Sequence, residues 1–536
     1  MAEVIGAAII GTVVLLVGLG LWSARRVRGE DSNFVVAGRS LSMPIVAILL
    51  LSQVIDSNAT VGAADLAAGF GFWAGAVMPI GLAMALLLVG LFVARKVRSM
   101  ELTSLPGYFR VRFGRTGEVL SAALTVVSFG ILMAGNLVAL GLMLDYFAGV
   151  PYWVAVVVVT VAILGYTMVG GMFASVYTGV FLMVVMAVGF VGLSLWMFLG
   201  PGYSAPEGLG VLDVEQMTSP AAGAVVNWAT LFALGVGNIV AIDVFQRVSS
   251  ARSPRTARVA GVVAAVGAVV LCVPLAAVAV SGISVLGDTA TDGPILFQLL
   301  SGPVPRPIGV LVVSGLLAAS LTTVSGILLA TSSIVVTNVF GTWRAAAWVV
   351  RFGVLRASRW AMVPVAAIAV VVALRVSHTG ILLTLTFDLL CASLVAPFLL
   401  SLWTRLASTR ALVVSTVLGL GLRLVLFVLT PTIYGVENTL LYVPNDVVTV
   451  EWDGWTTFLA AGVSLVAYLV VAAADVRGRG EQVPDPGQAS PSVSVPMATA
   501  ARPGEVTVPV LASTSAPAAT VARGRRPLPP PATAEA

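Results

Sequence analysis

The 536-residue chain holds one histidine, two cysteines and one lysine, and only 10% of its residues are charged. A lone His378 has no second imidazole with which to build a zinc site. Cys272 and Cys391 both lie inside apolar runs, which argues against a disulfide scaffold. A soluble domain carries about 25% charged residues, so the scarcity of charge rules out a soluble enzyme or a nucleic-acid binder. In place of charge there are 59% hydrophobic residues and a mean hydropathy of +1.03. The composition is that of an all-α polytopic membrane protein. The net charge of +5 needs no anionic partner, because the basic residues sit between apolar runs, where they orient helices.

About 20 apolar residues cross the hydrocarbon, and thirteen segments qualify: 4–22, 44–71, 74–94, 117–146, 152–172, 177–199, 223–246, 257–284, 307–338, 360–376, 379–402, 411–430 and 455–474. The first lacks a basic start and is followed by Arg25, Arg26 and Arg28, so it reads as a retained helix rather than a signal peptide. With the N-terminus outside, the inner loops hold twenty Lys and Arg against two, Arg306 and Arg375, in the outer loops. This asymmetry predicts an outside N-terminus and a cytoplasmic C-terminus in the cell membrane. Arg423 falls within a span and is expected to snorkel or to pair. Residues 476–536, rich in Pro, Ala and Ser, are expected to form a disordered cytoplasmic tail.

Charge at mid-span costs about 2.5–3.5 kcal/mol on insertion scales, which singles out Asp56. It lies in LLLSQVIDSNAT (49–60) among Ser52, Gln53, Ser57, Asn58 and Thr60. Unwound backbone at membrane depth is tolerated where it lines protein or a wet site, and a broken helix bearing a charge points to a transporter's binding site. The other reading is that Asp56 pairs with a distant Arg and holds helices together. Asp65, nine residues on, is half a turn out of phase at 100° per residue and suits a gate or a structural role. In SGLLAASLTTVSG (314–326), Ala319, Thr322 and Thr323 stand at i, i+3 and i+4 on one face. Two hydroxyls and a carbonyl suit a hard monovalent cation, although Ser and Thr also line ordinary membrane-helix interfaces.

The stretches FVVAGRSL (34–41), RSMELTSLPGYFRVRFG (98–114), YTMVGGMFASVYTG (166–179), GNIVAIDVFQRVSSARSP (237–254) and AASLTTVSGILLATSSIVVTN (318–338) together resemble the sodium:solute symporter family of sodium-coupled proline, galactose, pantothenate and choline transporters. The resemblance covers roughly residues 5 to 405 and implies a leucine-transporter-like fold of two inverted five-helix repeats, about thirteen transmembrane helices in all. Residues 1–43 would be a leading helix and link, 44–199 the first repeat, 200–222 an outer loop, 223–402 the second repeat and 403–475 two trailing helices. It further implies a sodium site from the main-chain oxygens of Ser52, Ile55 and Ala319 and the hydroxyls of Thr322 and Thr323. Gly179 and Leu182 stand where two-sodium members carry Asp and Gln, so one sodium per cycle is expected.

The expected function is sodium-coupled import of a small organic solute, with no cofactor, no enzymatic activity and no obligate protein partner. Lipid, sodium and the solute are the interacting species. Gln53, Asp56, Asn136, Asn227 and Trp228 are the candidate substrate contacts. Asp56 would favour an amino acid, betaine or choline-like amine. The alternatives are symport of a monocarboxylate or a sugar, or a transporter-like sensor that signals through a partner.

Overall fold

In a computed structural model, residues 39–479 are described, apart from 103, 290, 291, 340–352, 377, 378, 439 and 440, together with Gly11, Thr12, Val14 and Gly18. The expected span at 4–22, save those four residues, lies outside the described residues. So do His378, the chain from 480 onward and the side chains of Leu182 and of residues 169–178.

The first described span is interrupted. Apolar MPIVAILLL forms α1 (Met43–Leu51), and helix resumes as α2 (Ser57–Phe70). Between them the Ser52 hydroxyl donates to the carbonyl of Leu49 at 2.9 Å, a local bond that competes with helix continuation. Asp56 is extended, at φ −98° and ψ 169°, and caps the new helix. The chain then runs through α3 (Phe72–Ser99) and α4 (Leu105–Ala148), which bends at Gly114 (φ 70°). Next, α5 (Tyr152–Leu199) is one helical element where two spans and a link were expected. The second interruption separates α6 (Ala224–Val240) from α7 (Ile242–Ser250), whose axes differ by 49°. The remaining long helices are α8 (Pro254–Leu286), α9 (Arg306–Val339), α10 (Val354–Arg375), α11 (Ile381–Trp403), α12 (Thr409–Leu429) and α13 (Trp455–Arg479). Residues 476–479 therefore continue a helix rather than opening the tail.

Among the described residues nine helices are long and apolar enough to cross a membrane, ten if α6 and α7 count as one bent span. The expected span 44–71 is not among them because its polar break leaves two short pieces. Apart from the helices there is a hairpin of β1 (Thr432–Ile433) and β2 (Val436–Glu437).

Side-chain size sorts the faces of these helices. On α8, Val259, Val263, Val266 and Val270 are exposed, while Ala257, Ala260, Ala264 and Ala268 are buried. Lipid tails are as apolar as valine, so association gains little from hiding Val. Small residues at the interface let backbones approach and pack. In this way α8 lies close against α3 and α1, and α9 against α5 and α4, with both helix breaks enclosed at the centre.

Candidate functional site

The break in the first span is pinned between α4 and α9 by a chain of polar contacts. Asp56 Oδ1 accepts from the amide of Ala59 at 2.7 Å, and its Oδ2 accepts from Asn136 Nδ2 at 2.8 Å. The Asn136 Oδ1 accepts from the Ser320 hydroxyl at 2.9 Å, and Ser320 Oγ in turn accepts from the Ser57 amide at 3.0 Å. The Ser57 hydroxyl donates to the Leu316 carbonyl at 2.8 Å. All of these polar side chains are buried, Asp56 with 1% of its surface exposed. An N-cap carboxylate meets both the unpaired amides of the first turn and the positive end of the helix dipole. Much of the cost of burying Asp56 is thereby offset within the protein, by partners that local sequence did not reveal.

Leu316, Ser320 and Thr323 stand at i, i+4 and i+7, so Thr323 shares the face of α9 to which Ser57 is bonded. Its hydroxyl is buried and has no hydrogen-bond partner among the described residues. Thr322 donates to the Ala319 carbonyl at 2.8 Å. Across the break, the carbonyls of Ser52, Gln53, Val54 and Ile55 accept no backbone amide among the described residues. Buried polar groups are normally satisfied. This stretch instead concentrates carbonyls that accept no backbone amide among the described residues, and Thr323 adds an orphan hydroxyl on the α9 face to which Ser57 is bonded.

Gln53 faces the second broken helix. With its amide oriented to satisfy both neighbours it donates to Asp243 Oδ2 and accepts from Arg247 Nη2, each at 2.5 Å. Arg247 Nη1 also donates to the Asp243 carbonyl at 3.1 Å and lies 3.8 Å from Asp243 Oδ2. Both charged residues are buried, Arg247 2% exposed. In sequence Arg247 counts as one of the inner-loop charges, but the fold buries it in α7. The signal available beforehand was the i, i+4 spacing of Asp243 and Arg247.

The other expected contacts separate from this centre. Asn227 Nδ2 donates to the Gln216 carbonyl at 2.7 Å and Trp228 Nε1 to the Met217 carbonyl at 2.9 Å. Both fasten the start of α6 to the preceding loop, and Trp228 is 49% exposed. Gln53, Asp56 and Asn136 are thus brought together, whereas Asn227 and Trp228 are not. Arg423 is paired: its Nε donates to Asp388 Oδ2, with both residues buried. Asp388 is accordingly committed to an internal partner. At Gly179 an added Cβ would lie 3.2 Å from Leu49 Cδ2, so this position faces an apolar side chain of α1.

A model of the sodium:solute symporter family matches residues 34–419. The high affinity choline transporter 1 of Homo sapiens is 26% identical over 293 residues, 52% of this chain and 50% of that protein. The high-affinity proline transporter PutP of Bacillus subtilis (strain 168) is 25% identical over 339 residues, 58% of this chain and 68% of that one. The chain thus spans half the length of the choline transporter. Among solved structures, a substrate-bound outward-open Na+-coupled sialic acid symporter superposes with a TM-score of 0.69 at 14% identity, covering 88% of this chain and 97% of that one. At that identity the likeness is one of fold.

Proposed function

The chain belongs to the sodium:solute symporter family and has a leucine-transporter type of fold, and on that premise we propose that it imports a small organic solute together with sodium. The observation that carries this reading is the orphan hydroxyl of Thr323, on the face of α9 that bonds Ser57, the residue following a break whose carbonyls accept no backbone amide among the described residues. A sodium ion there would take the main-chain oxygens of Ser52, Ile55 and Ala319 and the hydroxyls of Thr322 and Thr323. All are neutral oxygen donors, the ligand class a hard cation prefers. The bond from Thr322 to Ala319 keeps two of these groups in place while leaving lone pairs free. Binding would then join α9 to the break and favour one arrangement of the broken helix over others, which is how an ion gradient can bias a conformational equilibrium.

For the solute we retain a positively charged group, such as the ammonium of an amino acid, betaine or choline-like amine. Asp56 has no ion-pair partner among the described residues, and a helix terminus supplies only about half a unit charge. The centre therefore keeps negative character that a cationic group would complete once the site opens. A single sodium per cycle is favoured by Gly179, which faces Leu49 rather than a polar cluster. We place the protein in the cell membrane with its N-terminus outside and its C-terminus in the cytoplasm.

The deciding experiment is a solute screen in proteoliposomes with and without an inward sodium gradient. Accumulation of one solute only with the gradient is the expected result. Equal accumulation without sodium, or accumulation driven by a proton gradient alone, would refute the sodium reading.

A further inference from the structure

The last two helices, α12 and α13, touch closely at the middle of α12 and leave a groove at one end. A Cβ placed on Gly419 of α12 would lie 2.6 Å from Ser464 Cβ and 3.2 Å from the Ala460 carbonyl oxygen of α13, so small residues set the crossing. Toward the start of α12 and the end of α13 valines replace them, and a groove of about 510 Å³ remains between the helices. Arg410, Val413 and Val414 line one wall, and Val470, Val471 and Ala474 the other. Val417 and Val466, both exposed, continue the apolar surface one turn further along each helix. The Ser408 hydroxyl, which caps α12 by accepting from the Ala411 amide at 3.2 Å, donates to Asp475 Oδ2 and ties the two helix ends together.

Charge at this end is unbalanced. Along 403–410 and 470–479 the chain carries Arg405, Arg410, Arg477 and Arg479 against Asp475. Arg405, Arg410 and Arg477 are exposed, Arg410 with 77% of its side chain. Val470, Ala474 and Arg477 stand at i, i+4 and i+7, so Arg477 extends the face that lines the groove. Asp475 Oδ1 lies 3.8 Å from Arg410 Nη1, longer than a hydrogen bond, which leaves the guanidinium donors open to an incoming anion. Nearby in the chain α11 ends on Trp403, 53% exposed, with Lys96 Nζ 3.4 Å from its ring centroid. An exposed indole paired with a cation at a helix end marks the depth of the lipid headgroups.

From this placement we propose that the groove between α12 and α13 is a binding site for an anionic phospholipid, its phosphate on Arg410 beside Arg477 and an acyl chain along the valines. The proposal rests on the membrane orientation given above only in naming the leaflet as the cytoplasmic one. A guanidinium meets phosphate oxygens with paired N–H donors in a matching geometry, and basic pockets between membrane helices are where anionic headgroups collect. A zwitterionic headgroup would bring its own cation to the three exposed arginines and lose that advantage. A second copy of the chain paired on this face would bring the same arginines together, because a two-fold contact joins identical patches. The anionic lipid is the occupant that answers both the apolar walls and the positive rim, and by binding the folded state it should also stabilise it.

The test titrates the full-length protein in detergent with phosphatidylglycerol or phosphatidylcholine and counts bound lipid by native mass spectrometry. The parent should hold phosphatidylglycerol more tightly than phosphatidylcholine. Arg410→Gln should weaken phosphatidylglycerol about fivefold, the worth of one arginine near an anionic surface, and leave phosphatidylcholine unchanged. Asp475→Asn keeps an acceptor for Ser408 and removes the competing charge, so it should tighten phosphatidylglycerol. Val470→Trp should fill the groove and displace the lipid without altering charge. Arg356→Gln removes an exposed arginine of α10 and should match the parent. Equal affinity for the two lipids, or equal losses in Arg410→Gln and Arg356→Gln, would show only a general attraction of lipid to a basic protein and would overturn the proposal. Undiminished binding in Val470→Trp would overturn it as well. So would a dimer that forms without lipid and that Val470→Trp dissociates, since the groove would then seat a second copy. Neither sodium nor solute enters the assay, so this proposal and the transport reading can fail separately.

Discussion

Replacing Asp56 by Asn separates two roles that the carboxylate plays at once. Asn is as good an N-cap as Asp, so its Oδ1 can keep the bond to the Ala59 amide now made at 2.7 Å. Its new amide nitrogen would then face Asn136 Nδ2, the present donor to Asp56. The conflict is relieved if Asn136 flips, offering its oxygen to residue 56 and its nitrogen to Ser320 Oγ, an oxygen that can either donate or accept. The fold should therefore survive with the cap and the contact between residues 56 and 136 kept, and the negative charge is the main loss. If that charge meets the solute's ammonium, the loss is that of a charged hydrogen bond, about 1.5–3 kcal/mol, which corresponds to about a 10- to 150-fold weaker solute affinity. Sodium affinity should change far less, because no atom of the proposed ion site is altered. Asp56→Ala is the contrasting variant: it loses the cap, about 0.5–2 kcal/mol, strands the Asn136 amide, and should lower thermal stability as well. Equilibrium binding of the transported solute and of sodium to purified protein, alongside melting curves, distinguishes these cases. Unweakened solute binding in the Asn variant, or a solute that proves to be an uncharged sugar, would refute the charge argument and leave Asp56 as a helix cap.

Thr322→Ala and Thr323→Ala should each raise the sodium concentration needed for half-maximal uptake while expression stays normal. Thr323→Ala should also not destabilise the protein, since it removes a hydroxyl that has no partner among the described residues; wild-type sodium activation in both variants would dispose of the ion site. Flux-ratio measurements should return one sodium per solute, and a value of two would require an acid in a place that Gly179 does not provide. Breaking the buried pair of Arg423 and Asp388 should be costly, about 3–5 kcal/mol for Arg423→Leu alone. The double variant with Asp388→Leu should recover most of that in a thermal assay, and additive losses would show that the two charges are not coupled.

Most of the apolar helices were legible in the chain because hydropathy is a property of contiguous residues. Runs of apolar sequence become helices in lipid whatever surrounds them, since each backbone amide must be satisfied within its own segment. The break at 52–56 was legible for the same reason: Ser52, Gln53 and Asp56 interrupt an apolar run. The family was also readable, because its matching stretches are short and local. Partners were not readable. That Asp56 would be capped onto its own helix and held by Asn136, that Arg247 would leave the loop charges to join Asp243 and Gln53 in the interior, and that Asp388 would find Arg423 all depend on residues far apart in the chain. Asn227 and Trp228 carry the same side-chain chemistry as pocket residues, and only the turn of α6 on which they fall directs them to the adjoining loop. A carboxylate within a span declares in sequence that its charge must be compensated. Which group compensates it is decided by how helices cross, and that is a property of the packed bundle alone.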